Sequence, residues 1–400
     1  MTASASAAPT STSRGTRLIR VLVVDDSAVI RRVVTDVLND DADIEVVGTA
    51  TNGRTGLEKF NELRPDLVTL DIEMPEMDGL AMLSALRKID RQVPVVMFSS
   101  LTEKASAKTI EALSRGASDY VTKPSGHGSL ADAMASVRAQ MIPKVKALCP
   151  RSRLAPQQPQ PRRVPGAPLP VAAGPRFPAG SPAPRAAAPT AAVPRGAASD
   201  ARPRSAAGPV DIVAIGVSTG GPAALGQVVP KLKGITVPVV IVQHMPPMFT
   251  KLLAEQLSNS TGLTVVEGTN GAVAEPGKIY IAPGDFHMTV RREAATIRLE
   301  LNQGAPENSC RPAVDPLFRS VASALGNRCL AVVLTGMGSD GEKGAAALRE
   351  AGAQIIAQDQ ATSVVWGMPG AIARAGLADE ILALGEIGNA IVTKVARRVR

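Results

Sequence analysis

Aromatic residues are nearly missing from this chain, which has one Trp, two Tyr and six Phe in 400 residues. With so few large rings, any core must be packed from Val, Leu, Ile, Ala and Met, which the 45% hydrophobic fraction supplies. Cysteine is almost as scarce. Cys149, Cys310 and Cys329 are odd in number and lack C-x-x-C spacing, which argues against a disulfide framework and a thiolate metal site. Free thiols in a reducing cytoplasm are the simplest reading, and Cys310, in NSCRP, reads as a small buried hydrophobe. No apolar run approaches the roughly 18–20 residues that span a bilayer, so direct membrane insertion is not expected. The leader MTASASAAPTSTSRGTR has no signal-type apolar stretch and reads as disordered over 1–17. Only three histidines occur, which narrows any chemistry that needs a neutral base.

The net charge of +8 suggests nucleic acid until its location is examined. Between Pro150 and Pro209 lie nine Arg, no Lys and a single acid, Asp200, so this one segment carries the whole excess. No folded basic face remains, and nucleic-acid binding is not expected. The same segment holds 15 of the 32 prolines and cannot bury enough apolar surface to offset chain entropy. It reads as a disordered Pro/Ala/Arg linker over 149–209, between domains at 18–148 and 210–400. A flexible chain of that length spans roughly 40 Å.

Strand-like runs RVLVV, IEVVG, DLVTL, VPVVMF and SDYV recur through the first domain, separated by helix-compatible stretches at 27–39, 53–63, 79–89, 104–114 and 129–148. This alternation predicts a doubly wound, flavodoxin-like α/β domain with functional groups at the carboxyl ends of its strands. Asp25 and Asp26 end the first strand and Asp71 the third, so three carboxylates converge. A hard cation such as Mg2+ would relieve their repulsion and leave room for a phosphoryl group. Ser99 and Lys123, at the ends of the fourth and fifth strands, suit a phosphate on Asp71. VLVVDDS, LDIEMPEMDG, MFSS and DYVTKP together resemble a response-regulator receiver domain. The resemblance implies Asp71 as phospho-acceptor, Asp25 and Asp26 as Mg2+ ligands, Ser99 as switch hydroxyl, Lys123 as phosphate contact and Tyr120 as rotameric aromatic switch.

The second domain alternates as well, through DIVAIG, VPVVIVQ, KIYIA, CLAVVLTG and AQIIAQ, with HMTV and TIRLEL as an antiparallel hairpin. A mostly parallel α/β sheet is expected. Gly216-Val217-Ser218-Thr219-Gly220 fits G-x-S-x-G at a strand-to-helix turn, which presents either a nucleophile or a phosphate cradle. A serine nucleophile needs a base. His127 lies in a loop of the first domain, His287 opens the hairpin, and His244 ends the strand VPVVIVQ at the same sheet edge as Ser218. Asp340, in LTGMGSDG, shares that edge. A hydrolase-type order would instead use Ser218, Asp285 and His287; order alone excludes neither, but the shared edge favours His244 and Asp340.

GVSTGGP, IVQHMP, IYIAPGDFHM, CRPAVDPLF, VLTGMGSDG and WGMPGAI together resemble the catalytic domain of the chemotaxis protein-glutamate methylesterases, the CheB family. The resemblance implies Ser218 as nucleophile, His244 as general base, Asp340 as its orienting partner, and Thr219 and Met337 beside the oxyanion site. It further implies chemoreceptor γ-glutamyl methyl esters and glutamines as substrates, taken in a shallow groove, a CheA-type histidine kinase as phosphodonor, Mg2+ for the receiver alone, and an unphosphorylated receiver packed over the active site. A cytoplasmic monomer is expected. The alternatives are the same enzyme in a non-flagellar chemosensory pathway and a non-catalytic, nucleotide-binding output domain.

Overall fold

Ser27, Asn52, Asp78, Thr102 and Ser129 each close a helix N-terminus with their own side chain. That regularity explains why α1 (Ala28–Asn39), α2 (Gly53–Leu63), α3 (Gly79–Ile89), α4 (Glu103–Ser114) and α5 (Leu130–Leu148) begin within a residue of the positions read from sequence. The computed structural model describes residues 17–100, 102–124, 129–150 and 208–396. The leader up to residue 16, His127 and 151–207 of the expected linker lie outside the described residues.

Strands β1 (Ile19–Val24), β2 (Ile44–Ala50), β3 (Leu67–Asp71), β4 (Val95–Ser99) and β5 (Asp119–Thr122) alternate with these helices. They form a parallel sheet in the order β2-β1-β3-β4-β5. The order reverses between β1 and β3, opening a crevice at their carboxyl ends, where Asp25, Asp26 and Asp71 stand.

The second half contains β6 (Ile212–Val217), α6 (Gly221–Val228), β7 (Val239–Gln243), α7 (Phe249–Thr261), β8 (Val265–Glu267), β9 (Ile279–Ile281), β10 (His287–Glu293) and β11 (Thr296–Asn302). Then follow α8 (Val314–Leu325), β12 (Cys329–Val333), α9 (Glu342–Glu350), β13 (Gln354–Gln358), α10 (Met368–Arg374), β14 (Glu380–Leu382) and α11 (Leu384–Ala396). Seven strands pair in parallel as β14-β13-β12-β6-β7-β9-β8, while β10 and β11 form the antiparallel hairpin. The three-residue edge strands β8 and β14 were not expected from sequence, being too short to show a period.

Every residue of β6 and β12 is buried, as a parallel strand covered on both faces requires. The chain runs out from β6 on one side and returns through β12 on the other. The crevice between those two strands is therefore the second switch point, and Ser218 and Asp340 follow them directly.

Candidate active site

The apolar run of β6 ends at Val217, and the chain must turn at once to enter α6. Gly220 makes that turn with φ 78°, a left-handed conformation that a side chain would resist. Gly336 allows the turn after β12 to lie against the serine, since a Cβ there would sit 2.4 Å from Met368 Sδ and 2.8 Å from Ser218 Cβ. The serine main chain is tied on both sides. Ser218 N donates to Thr335 O at 3.0 Å, and Ser218 O accepts from Gly221 N at 2.8 Å and Gln243 Nε2 at 3.0 Å.

His244 follows β7 on the same edge. Its Nε2 lies 2.7 Å from Asp340 Oδ2, and its Nδ1 lies 3.6 Å from Cys310 Sγ. With Nε2 engaged by the carboxylate, Nδ1 is the nitrogen left to take a proton. Burial pulls the imidazole toward the neutral form, but the hydrogen bonds of Asp340 and Cys310 outweigh it and hold its pKa up at about 9. Asp340 shifts the opposite way. Burial pushes it up, but the His244 hydrogen bond, followed by the N–H groups of Val314 and Asp315, holds it below the usual carboxylate range.

The helices of this half lack the side-chain caps of the first half. No cap side chain bonds the start of α6, α7, α8, α9 or α10. Distant acids fill two of these vacancies. Asp340 accepts from Val314 N at 2.6 Å and Asp315 N at 3.1 Å at the head of α8, and from Gly341 N at 2.9 Å. Asp315 in turn accepts from Gly344 N in the first turn of α9 at 2.7 Å. Asn308 Nδ2 bridges the two acids, at 2.8 Å from Asp340 Oδ1 and 3.0 Å from Asp315 Oδ2. The helix heads thus hold the Asp340 carboxylate in its charged form.

The alternative order finds no geometric support. Buried His287 lies 3.2 Å from Ala313 N at Nδ1 and 3.0 Å from Ala305 O at Nε2, so both ring nitrogens are occupied by backbone. Asp285 pairs with Arg311 at 2.6 Å. Cys310 departs from its sequence reading. It is half-buried rather than buried, and its sulfur touches the His244 ring. Its contact with the base and the Asn308 bridge were both missed: Asn308 lies outside the motifs that carry the resemblance, and Cys310, though it opens CRPAVDPLF, does not follow a strand as the other site residues do.

In the first half, ligand oxygens of Asp25, Asp26 and Asp71 lie within 4.8 Å of one another. Lys123 Nζ stands 2.8 Å from Asp71 Oδ2 and 3.1 Å from Asp25 Oδ2. The second contact is an ion pair that is not aligned as a hydrogen bond, so Asp25 Oδ2 is buried without a hydrogen-bond partner among the described residues. Burial and then the Asp25 charge push the Asp71 pKa up to about 6. Three hard oxygen ligands, one of them a buried oxygen met by an ion pair alone, fit a small divalent cation. Ser99 Oγ accepts the Thr109 hydroxyl at 2.7 Å at the end of β4.

Tyr120 connects the halves. Its ring is buried and stacks on Phe249 at a centroid distance of 4.8 Å. Beside it, Thr219 Oγ1 donates to Asp119 Oδ2 at 2.6 Å. Ser114 on α4 and Gln256 on α7 are hydrogen-bonded as well. Ser218, His244 and Asp340 share a cavity of about 460 Å³ with Asp119, Tyr120 and Lys144, so the first half forms one wall of the space in front of the serine. Met337 lines it too, and with Val364 packs against the apolar cluster containing Val137 and Met141 of α5.

Two family models match the chain: "CheB methylesterase" over residues 213–391 and "Response regulator receiver domain" over 21–135. A protein of Nocardioides sp. named protein-glutamate methylesterase/protein-glutamine glutaminase is 49% identical over 95% of this chain and 96% of its own length. One of the same name from Trichodesmium erythraeum is 42% identical over 94% and 99%. The crystal structure of the Thermotoga maritima CheB methylesterase catalytic domain is 42% identical, covering 46% of this chain and 98% of that one, with a TM-score of 0.45.

Proposed function

The chain belongs to the receiver-linked protein-glutamate methylesterase family, and from that premise we propose that Ser218, His244 and Asp340 carry out its ester hydrolysis under control of a phosphoryl group on Asp71. The activity is that of a protein-glutamate methylesterase and protein-glutamine glutaminase. The single observation that carries the residue assignment is the 2.7 Å contact of His244 with Asp340, at the strand edge that also bears Ser218.

His244 Nδ1 takes the proton of the Ser218 hydroxyl as the oxygen attacks the γ-carbonyl of a glutamyl methyl ester. Asp340 stabilises the imidazolium that forms. The backbone N–H of Thr219, the residue after the nucleophile, is the position that supplies an oxyanion donor in strand–nucleophile–helix turns. His244 then returns its proton to the departing methoxide. Water, deprotonated by the same ring, resolves the acyl-serine and leaves a glutamate carboxylate. A glutamine amide would follow the same route and release ammonia. Methylated chemoreceptor helices are the substrate, and Met337 borders the cleft that receives them. Methanol release from methylated receptor membranes tests the reading; a chain that releases none would overturn it.

The base sets a pH dependence. Its raised pKa means that the neutral, proton-accepting ring gains population as pH rises toward about 9, so activity should increase over that range. Asp340→Asn removes one of the two groups that hold the pKa up, leaving Cys310. The inflection should then move to lower pH while kcat falls about 10⁴-fold, as measured by a pH profile of methanol release.

In the receiver, Asp25, Asp26 and Asp71 would hold Mg2+, which neutralises charge on the incoming phosphoryl group. Asp71 is the nucleophile toward a histidine-kinase phosphodonor, and Lys123 and Ser99 take the phosphate oxygens. Chelating Mg2+ with EDTA should abolish activation by a small phosphodonor yet leave basal hydrolysis within about twofold, since hydrolysis draws on no group of that site. Loss of basal activity on chelation would contradict this division.

A further inference from the structure

Asp119 belongs to the receiver, yet its carboxylate ends inside the cavity that holds Ser218. Oδ2 accepts the Thr219 hydroxyl at 2.6 Å, while Oδ1 accepts from Lys144 Nζ at 2.8 Å and Tyr120 N at 2.7 Å. Asp119 is 6% exposed and Thr219 is 5% exposed. A hydrogen bond this short to an ionised acceptor, shielded from water, is among the stronger kinds. Among the described residues the Thr219 hydroxyl has no other acceptor. The hydroxyl next to the nucleophile therefore has a carboxylate as its partner, and that carboxylate leaves when the receiver leaves.

The receiver brings a helix along with the acid. Gln140, Pro143 and Lys144 of α5 border the same cavity, and Met337, Val364 and Val365 join the apolar cluster of Val137 and Met141. A helix thus rests against the catalytic cleft, with a carboxylate from the neighbouring strand β5 beside it. The product of the reaction has the same character: a receptor helix with a glutamate carboxylate beside Ser218.

We propose that the Thr219 hydroxyl is a subsite for a carboxylate on the substrate or product helix, and that Asp119 fills it in the closed chain as an internal stand-in. This rests on the esterase reading above. The carboxylate has two sources, the γ-carboxylate just released or an unesterified glutamate one turn away. In either case acidic product and receiver compete for one place. By linkage, whatever weakens closure strengthens product binding by the same factor.

Four fluorescein-labelled helical peptides test this by anisotropy on the full chain. One has glutamate at the target position and four residues away, two have a single glutamate changed to glutamine, and one has both changed. Asp119→Ala should bind the diacid about tenfold more tightly than the unaltered chain, equivalent to about 1.4 kcal/mol. Adding Thr219→Val should remove that gain, and the all-glutamine peptide should change less than about twofold. The single-glutamine peptides report which carboxylate is bound. An equal gain for all four peptides would mean that Asp119→Ala only clears space, and would overturn the subsite; no gain for any would do the same. Should Asp119→Ala fail to fold by circular dichroism, Asp119→Ser serves the same comparison. Methanol release keeps the two readings apart. Asp119→Ala that hydrolyses an ester peptide without preferring acid sinks the subsite alone, whereas acid-selective binding without methanol release sinks the esterase alone.

Discussion

His244→Ala should reduce methanol release by about 10⁵- to 10⁶-fold, whereas His287→Gln should stay within about tenfold of the unaltered chain. The first figure follows from how such units behave. Removing either the serine or its base disables the nucleophile entirely, and single losses cost about as much as losing the whole set. Ser218→Ala should therefore match His244→Ala, and the double variant should be scarcely worse than either. His287 differs because both ring nitrogens already meet backbone groups, at Ala313 N and Ala305 O. Its loss acts on stability, by roughly 1–3 kcal/mol for an unsatisfied buried polar group, and a melting curve separates that effect from chemistry. A pattern in which His287 is essential and His244 dispensable would return the assignment to the Ser218, Asp285, His287 order.

Adding phosphodonor and Mg2+ should raise receptor demethylation by about 5- to 150-fold, the range of a typical coupling free energy. Asp71→Ala should erase the rise. The interface gives this route its physical content. Tyr120 stacks on Phe249, and Ser99 sits one strand away at the end of β4, paired to Thr109. A phosphate on Asp71 that draws in Ser99 would open space for the Tyr120 ring, and the stack would be lost. An aromatic pair contributes about 0.5–1.5 kcal/mol beyond its buried area. Tyr120→Ala should thus raise basal activity about 2- to 12-fold and shrink the response to phosphodonor by a similar factor. Full phosphodonor activation of Asp71→Ala would end the regulatory claim.

The scaffold of both halves could be read from the chain because each used a local signal. Apolar runs bounded by Gly, Pro and Asp mark the strands of both, and in the receiver five capping residues, which the reading of the runs did not use, open the helices between them. Ser218, His244 and Asp340 could be singled out because each directly follows a strand, where a parallel sheet places its chemistry. What could not be read is long-range. Asp340 caps α8 from 26 residues away, and Asp315 caps α9 across the same fold. Asn308 and Cys310 reach the site from a loop with no periodicity, and Asn308 adopts a positive φ of 51°, which asparagine tolerates better than most residues. Asp119 reads as an unremarkable strand residue until the opposite half presents Thr219 to it.

The serine turn has a bearing on speed. Its main chain is tied to Thr335, Gly221 and Gln243, and the Asp340 carboxylate is fixed by Val314, Asp315, Gly341 and Asn308. All of these lie in the catalytic half, so nothing in the machinery has to be assembled when the receiver withdraws. The signal changes admission rather than construction. The delay between phosphorylation and first turnover is then the time for two packed surfaces to part, the microsecond-to-millisecond scale of domain motion, with no slower ordering step behind it.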